Sequence, residues 1–343
     1  MTYSFKQKLG AIVYDLPRFL WSMRPFSRHP WVFMHNRDER IIADGSETGA
    51  QCDWRWTSDL HLAAVFPSLG RMLMKRALRD WPIEFRADPL QRDENVQISF
   101  VIGHRGIERS SHLLLTLQSI AGQREAAFEC IVVEQSVVPE VKEQLPSWVR
   151  YVHTPPPYGH MPYSRSWAFN VGARVARGEV LVLHDNDMLV PTDYCREIIA
   201  SFREGYEVIN LKRFIFYLNE QDSALASANG DLSLQNPPDS IMQNPQGGGS
   251  IAMTREAYFA IGGFDESFIG WGGEDNEFWE RAQTRKGWPY GHLPIVHLWH
   301  PAQPDKFNQR RSTATLLEQR SAISPAARIA ELTSREFGKL ALD

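Results

Sequence analysis

The chain predicts an α/β fold on a mostly parallel sheet, and two observations carry that prediction. From Val96 onward, short apolar runs of strand length alternate with segments whose apolar residues recur at helical spacing, which is the signature of a sheet covered on both faces. One of these runs, Glu179 to His184, is continuously apolar rather than alternating, as expected of a buried strand, and it delivers Asp185-Asn186-Asp187 at its carboxyl end. That is the end at which open α/β sheets bind ligands.

Taken in order, Val96 to Ile102 reads as a strand, Ser110 to Ser119 as a helix and Ala127 to Glu134 as a second strand. Trp148 to His153 is a third strand, Ser164 to Ala176 a helix ending near Gly178, and Val180 to His184 the strand that precedes the aspartates. Between Asn219 and Ser250 the sequence is polar and rich in Gly, Pro, Asn and Ser, which predicts a binding loop or a disordered stretch. Pro325 to Leu342 has the spacing of an amphipathic helix. The domain division is therefore 1–95 as an extension, helical or irregular, 96–311 as the α/β domain, and 312–343 as a helical tail. In the extension, a helix beginning near Ser68 places Leu69, Met72, Leu73 and Ala77 on one face. Its first stretch sets Lys6, Lys8, Arg18, Arg24 and Arg28 among Phe5, Ile12, Phe19, Leu20, Trp21 and Phe26. Such a mixture suits an anionic membrane surface, or packing against the main domain or a partner.

The net charge of −4 over 343 residues gives no reason to expect nucleic acid as a partner. Cys52, Cys130 and Cys195 are odd in number and far apart, which fits reduced thiols better than a disulfide framework. No apolar stretch approaches the roughly 20 residues of a membrane span, and the amino terminus has no signal-peptide core. A cytoplasmic location is expected, with peripheral contact at the inner face of the membrane through the first segment. Oligomeric state is not legible.

Three motifs carry chemistry. Gly270-Trp271-Gly272-Gly273-Glu274-Asp275 sets a tryptophan on a glycine hinge directly before two carboxylates. An indole face can cover the apolar side of a sugar while carboxylates take its hydroxyls, and one of them can act as a general base. Alone, such a run is more often a turn leading into a surface helix. Asp185 and Asp187, two apart, point to the same side if the strand continues and could both face a nucleotide diphosphate with its divalent metal; Asx-capped turns look similar. His297 and His300 end the apolar stretch Leu293 to Val296 and could complete a metal site begun by Asp187. In a regular strand they would face opposite ways, so ligation of one ion requires the chain to turn after His297, as Pro301 allows.

Together these residues resemble the GT-A nucleotide-sugar transferases from about Ser99 to Arg311, most closely the β-1,4-galactosyltransferase family and bacterial family 2 polysaccharide glycosyltransferases. Gly103-His104-Arg105-Gly106 resembles that family's uracil-binding turn, with Arg105 carried over. Tyr163 to Gly172 resembles its Asn-Arg-rich helix, in which Arg165 would reach the donor diphosphate. His184-Asp185-Asn186-Asp187 resembles its metal-binding Asp-X-Asp, and Gly262 through Asp275 its acceptor and catalytic segment. His297 stands where animal members carry a metal-binding methionine, and His300 matches their histidine. The resemblance thus implies a metal held by Asp187, His297 and His300, manganese with magnesium better able to compete, since imidazole replaces a soft thioether. A second departure is Asn276, where animal members have a third acid.

The implied activity is inverting transfer of a hexose or N-acetylhexosamine, galactose-type favoured, from a UDP-sugar to a hydroxyl of a glycan or glycolipid acceptor. Donor binding would involve Gly103, His104, Arg105, Arg165, Asp185 and Asp187; acceptor binding Trp271, Gly272, Gly273 and Glu274; Asp275 would be the base, with exchange of roles between it and Glu274 as the alternative. Other readings are a carbohydrate-binding protein without turnover, a sugar nucleotidyltransferase, for which Gly103 to Gly106 is a poor phosphate loop, and a retaining transferase that needs no base at Asp275.

Overall fold

A computed structural model describes residues 3–24, 34, 50–51, 60–90, 95–125, 127–302 and 312–340. Phe26, Arg28, Cys52, Arg311 and Leu342, named above, lie outside these. Helix α1 (Phe5–Ser22) opens with a reciprocal cap between Ser4 and Gln7. Strand β1 (Ala50–Gln51), the short α2 (Leu62–Val65) and α3 (Pro67–Asp80) follow. The predicted alternation then appears as β2 (Ile98–His104), α4 (Ser110–Ala121), β3 (Phe128–Glu134), β4 (Val149–His153), α5 (Arg165–Val175) and β5 (Val180–His184). Beyond it lie β6 (Met188–Leu189), α6 (Tyr194–Arg203), β7 (Val208–Ile209), β8 (Lys212–Tyr217), α7 (Glu220–Asn229), β9 (Ser240–Gln243) and β10 (Ser250–Thr254). The chain ends with α8 (Arg255–Ala260), α9 (Glu274–Ala282), β11 (Tyr290–Gly291), β12 (Leu293–His297), α10 (Ser312–Ser321) and α11 (Pro325–Thr333).

The central sheet has six strands in the order β4-β3-β2-β5-β10-β7. Its first four strands are mutually parallel and β10 runs antiparallel to both neighbours. Every residue of β2 and β5 is buried, as continuous apolar strands covered on two faces require. Alternate β2 residues enter different cores: Phe100 and Ile102 join the one containing α3, α4 and α6, while Val101 joins the one containing Phe169, Phe264 and Phe278. A second sheet, β6-β12-β8-β9, was not foreseen; in it β12 is parallel to β8 and antiparallel to β6.

Four expectations are corrected. The polar stretch from Asn219 to Ser250 contains α7 and β9: Asn219 caps the helix by accepting from the Asp222 amide, and Ile241 and Met242 extend the second sheet beside β8. Its turn residues are boundaries of short elements rather than one long loop. Second, Met72 is exposed; the buried face of α3 runs through Leu73, Met74 and Ala77. These, with Leu62, sit in the same core as β2, so part of the amino-terminal extension packs into the α/β domain, where truncating one such leucine to alanine costs about 2–5 kcal/mol. Third, α11 stops at Thr333 rather than continuing to Leu342. The Thr333 and Ser334 hydroxyls donate back to the Ile329 and Glu331 carbonyls, while Arg335 pairs with Asp265 and Phe337 stacks on Phe259, drawing the chain off the helical path. Fourth, strand geometry ends at His184, so period-two alternation does not govern Asp185 and Asp187.

Candidate functional site

The carboxyl end of β5 is where the candidate residues meet. Asp185 leaves the strand with its amide bonded to the Gly249 carbonyl, and three residues later the chain re-enters a sheet as β6. Pairing of β6 with β12 sets His297 opposite Met188, the neighbour of Asp187, and the Leu298 amide donates to the Asp187 carbonyl at 2.8 Å. The ladder therefore brings together residues more than a hundred positions apart. The strand ends at His297, and the Trp299 amide donates to the Ser223 hydroxyl at 2.7 Å, so the turn falls before Trp299 rather than at Pro301.

Asp187, His297 and His300 offer ligand atoms that all lie within 4.8 Å of one another. Asp187 is buried, with Oδ1 3.7 Å from His297 Nε2 and Oδ2 3.4 Å from His300 Nε2. His300 Nδ1 lies 2.8 Å from the Pro301 carbonyl on one side of the ring, while Nε2 on the other side faces the carboxylate. One carboxylate oxygen and two imidazole nitrogens gathered this closely could hold a divalent metal ion. Burial opposes the charge on Asp187, but His297, His300 and Arg109 outweigh it and hold the carboxyl below its usual range. Burial pushes the His297 imidazole down, toward its neutral, ligating form.

Arg109 is a member that sequence reasoning missed. Its guanidinium lies 3.3 Å from Asp187 Oδ2 and 3.1 Å from His300 Nδ1. His112 lies close enough to feel Asp187 and both histidines, and burial lowers its affinity for a proton. The only signal in the sequence was their position between the end of β2 and the first turn of α4, at the ligand-binding end of the sheet.

The second group centres on Arg165, the first residue of α5, whose preceding Ser164 caps the helix by accepting from the Trp167 amide. Arg165 Nε donates to Asp185 Oδ1 at 2.6 Å, its Nη1 pairs with Asp275 and lies 3.9 Å from Glu274, and its face covers the Phe169 ring at 4.5 Å. The guanidinium is thus engaged by protein carboxylates, and reaching a donor diphosphate would require exchanging one of them. Burial pushes the Asp185 carboxyl up to about 6 despite Arg165, and pushes Glu274 up to about 7 with Asp275 adding to the rise. Glu274 Oε2 is buried without a hydrogen-bond partner, whereas the Asp275 side chain is 31% exposed. Lys212, unnoticed in the sequence, lies buried behind this group with Nζ bonded to the Ser250 carbonyl; burial lowers its ammonium to about 7 against the pull of Asp275 and Asp185.

Placement of the two carboxylates depends on the glycines before them. Gly272 and Gly273 have φ of 92° and 97°, values that side-chain-bearing residues rarely adopt, and a Cβ at Gly273 would come within 3.0 Å of Phe268. The loop is anchored where the Gly270 amide donates to the Tyr163 carbonyl and the Thr313 hydroxyl to the Trp271 carbonyl. Trp271 itself is 40% exposed. Helix α9 then carries the buried Glu277–Arg281 pair, to which α11 adds Arg328. Removing one partner of such a buried set costs about 3–5 kcal/mol, so the base of the helix bearing Glu274 and Asp275 is stiff.

The remaining predicted residues lie along the same strand ends. Gly103 has the Tyr163 hydroxyl where a side chain would begin. His104 is fully buried; Nε2 donates to the Gly106 carbonyl and Nδ1 accepts from Asn186, so the ring holds the Asp-Asn-Asp turn and offers no free nitrogen to a ligand. Arg105 donates to the Met161 carbonyl. A surface cleft of about 500 Å³ lined by Arg177, Glu179, Phe202, Tyr206, Glu207 and Phe259 opens at the other end of β5 and contains none of these residues.

Two family models match the sequence: glycosyl transferase family 2 over residues 108–261, and the N-terminal domain of galactosyltransferase over residues 240–288. The first span includes Arg109, Arg165, Asp185 and Asp187, the second Trp271 to Asp275, and both stop short of His297 and His300. Similar proteins include a chondroitin synthase of Escherichia coli, 35% identical over 79 residues, which are 21% of this chain and 11% of that protein. β-1,4-Galactosyltransferase 5 of Danio rerio is 25% identical over 36% of this chain and 28% of its own, and that of Sus scrofa 27% identical over 37% and 27%. The matches thus span about a quarter or less of these relatives. Among solved structures, the catalytic domain of Drosophila β1,4-galactosyltransferase 7 in complex with xylobiose is 16% identical, covering 64% of this chain and 79% of that one with a TM-score of 0.35. The two family models meet on the sequence that builds the parallel sheet and its rim, and over that stretch the chain is similar to glycosyltransferases.

Proposed function

We propose that the chain is a metal-dependent, inverting glycosyltransferase that moves a hexose or N-acetylhexosamine from a UDP-sugar to a hydroxyl of a glycan acceptor. The observation that carries the reading is the convergence of Asp187, His297 and His300 two residues along the chain from Asp185, which ties through Arg165 to Asp275. One rim thus gathers residues that could hold a cation beside an acid pair. Names of the relatives favour a galactose-type sugar.

Departure of a nucleoside diphosphate leaves negative charge on the phosphates and positive charge on the sugar ring. A divalent ion held by Asp187, His297 and His300 would supply Lewis-acid stabilisation of the leaving group. The chain's own residues divide the remaining work. Asp275, partly exposed at the first turn of α9, accepts the proton of the attacking hydroxyl at a carboxylate oxygen. Glu274, whose carboxyl burial pushes up to about 7, donates to or accepts from a sugar hydroxyl. Arg165 keeps the two acids apart in role by pairing more closely with Asp275 than with Glu274. Trp271 covers the apolar face of a sugar and excludes water from it.

The test is thermal denaturation of the full chain with manganese or magnesium, alone and with UDP, UDP-galactose or UDP-N-acetylgalactosamine, followed by transfer to glycan acceptors. A ligand at about 100 times its Kd should stabilise by about 2.7 kcal/mol, and only with metal present. Product of inverted configuration is expected; retained configuration removes Asp275 as base. Absence of any metal-dependent shift with every UDP-sugar overturns the donor assignment.

A further inference from the structure

Helix α1 turns one face inward and a very different one outward. Ala11, Asp15, Phe19 and Ser22 are buried, and Asp15 Oδ2 accepts from the Leu62 amide at the start of α2, so the docking face is already defined. Beside that face, turned to solvent, Phe5, Leu9, Ile12, Val13 and Leu20 are exposed, at 81, 50, 38, 63 and 61%. At 100° per residue Phe5, Leu9, Ile12, Val13 and Leu20 share one stripe. With Tyr14 and Trp21, seven of the fifteen exposed large apolar side chains among the described residues fall on this one helix, which is more than the single scattered exposures of an ordinary surface.

The exposed charges of this segment have one sign. Lys6, Lys8, Arg18 and Arg24 are exposed, and the helix's only acid, Asp15, is the buried one. In a chain of net charge −4 this segment is locally cationic, so its partner must accept apolar side chains between positive charges. A second copy of the helix would bring the same cations face to face. No described helix is long and apolar enough to cross a membrane, and an apolar stripe between cations lies in the plane of a bilayer surface.

We propose that α1 is a peripheral docking helix for a bilayer containing anionic lipid, entering the headgroup region through Phe5, Leu9, Ile12, Val13 and Leu20 while Lys6 and Lys8, which border that stripe, pair with lipid headgroups. The docking places the transferase beside lipid-borne substrates and does not depend on which sugar it moves. The test is sedimentation of the full chain with vesicles of phosphatidylcholine alone and of phosphatidylcholine mixed with phosphatidylglycerol. Binding is expected to the mixed vesicles, weakening as salt rises. Lys6→Glu with Lys8→Glu should weaken it at least ~30-fold, at about 1 kcal/mol per cation lost. Leu9→Glu with Val13→Glu should weaken it at least ~10-fold. All four positions are exposed, so melting temperatures should stay at the wild-type value, and a circular dichroism melt of each variant separates lost docking from lost folding. Wild-type protein left in the supernatant with both vesicles, or variants that bind as well as wild type, overturns the proposal. So does a dimer in sedimentation equilibrium that Leu9→Glu with Val13→Glu disperses while lipid binding is absent, because the face would then belong to a second copy.

Discussion

Asp185 and Asp187 stand two residues apart beyond the end of one strand, the first partly exposed and the second buried, and behave oppositely. Burial pushes both carboxyls up, but Asp187 has two imidazoles and Arg109 around it and ends below the usual range, whereas Asp185 shares Arg165 with Asp275 and Glu274 and rises to about 6. One half of the rim therefore gathers positive or ligating groups around a single acid, and the other gathers three acids around a single guanidinium. The first arrangement suits holding a cation and the second suits holding and moving a proton. Residue type did not decide this; the neighbours did.

The contrast can be broken most severely at the acid half. Asp275→Asn removes the proposed proton acceptor while keeping shape, and transfer should fall by about 10²–10⁴ with donor binding unchanged, as read by thermal shift beside a transfer assay. Near-normal turnover would take Asp275 out of the mechanism. At the cation half, His300→Ala should raise the manganese concentration needed for half-maximal binding by at least ~10-fold, since even outer partners of metal sites are worth that much. An unchanged manganese titration would detach His300 from the site. The smallest effect concerns stability. Glu274 has a native pKa of about 7 against an ordinary 4.5, so the native state holds the proton more tightly. The stability this gives is present below about 4.5 and lost as pH climbs through about 7. Glu274→Gln cannot ionise, and it should melt above wild type at about pH 8 by on the order of 1–3 kcal/mol, with the gap closing near pH 5. A gap that does not vary with pH would mean that Glu274 is not the strained acid.

Legibility in the sequence tracked how local the controlling physics is. Strands β2, β3, β4 and β5 and helices α4 and α5 were readable because continuous apolar runs and helical spacing each encode burial directly. The stretch from Asn219 to Ser250 was misread because Asn and Gly mark element ends as well as loops, and only pairing of β9 with β8 shows that four residues there are a strand. Arg109 and Lys212 escaped notice because a lone cation in a sequence carries no sign of the acid it will face. Exposure of Met72 beside buried Met74 was set by which way α3 leans on the sheet, which spacing alone leaves open.

What the sequence determined by itself is the alternating α/β layout, the acids and glycines after β5 and before α9, and the cationic apolar character of the first helix, because composition and period act on each segment without reference to any other. What only the tertiary structure decided is which charges meet. Pairing of β6 with β12 put His297 beside Asp187, and docking of the loop before α9 on the start of α5 put Asp275 on Arg165. Proton and cation affinities depend on distances of a few ångströms between residues far apart in the chain, and no local pattern contains those distances.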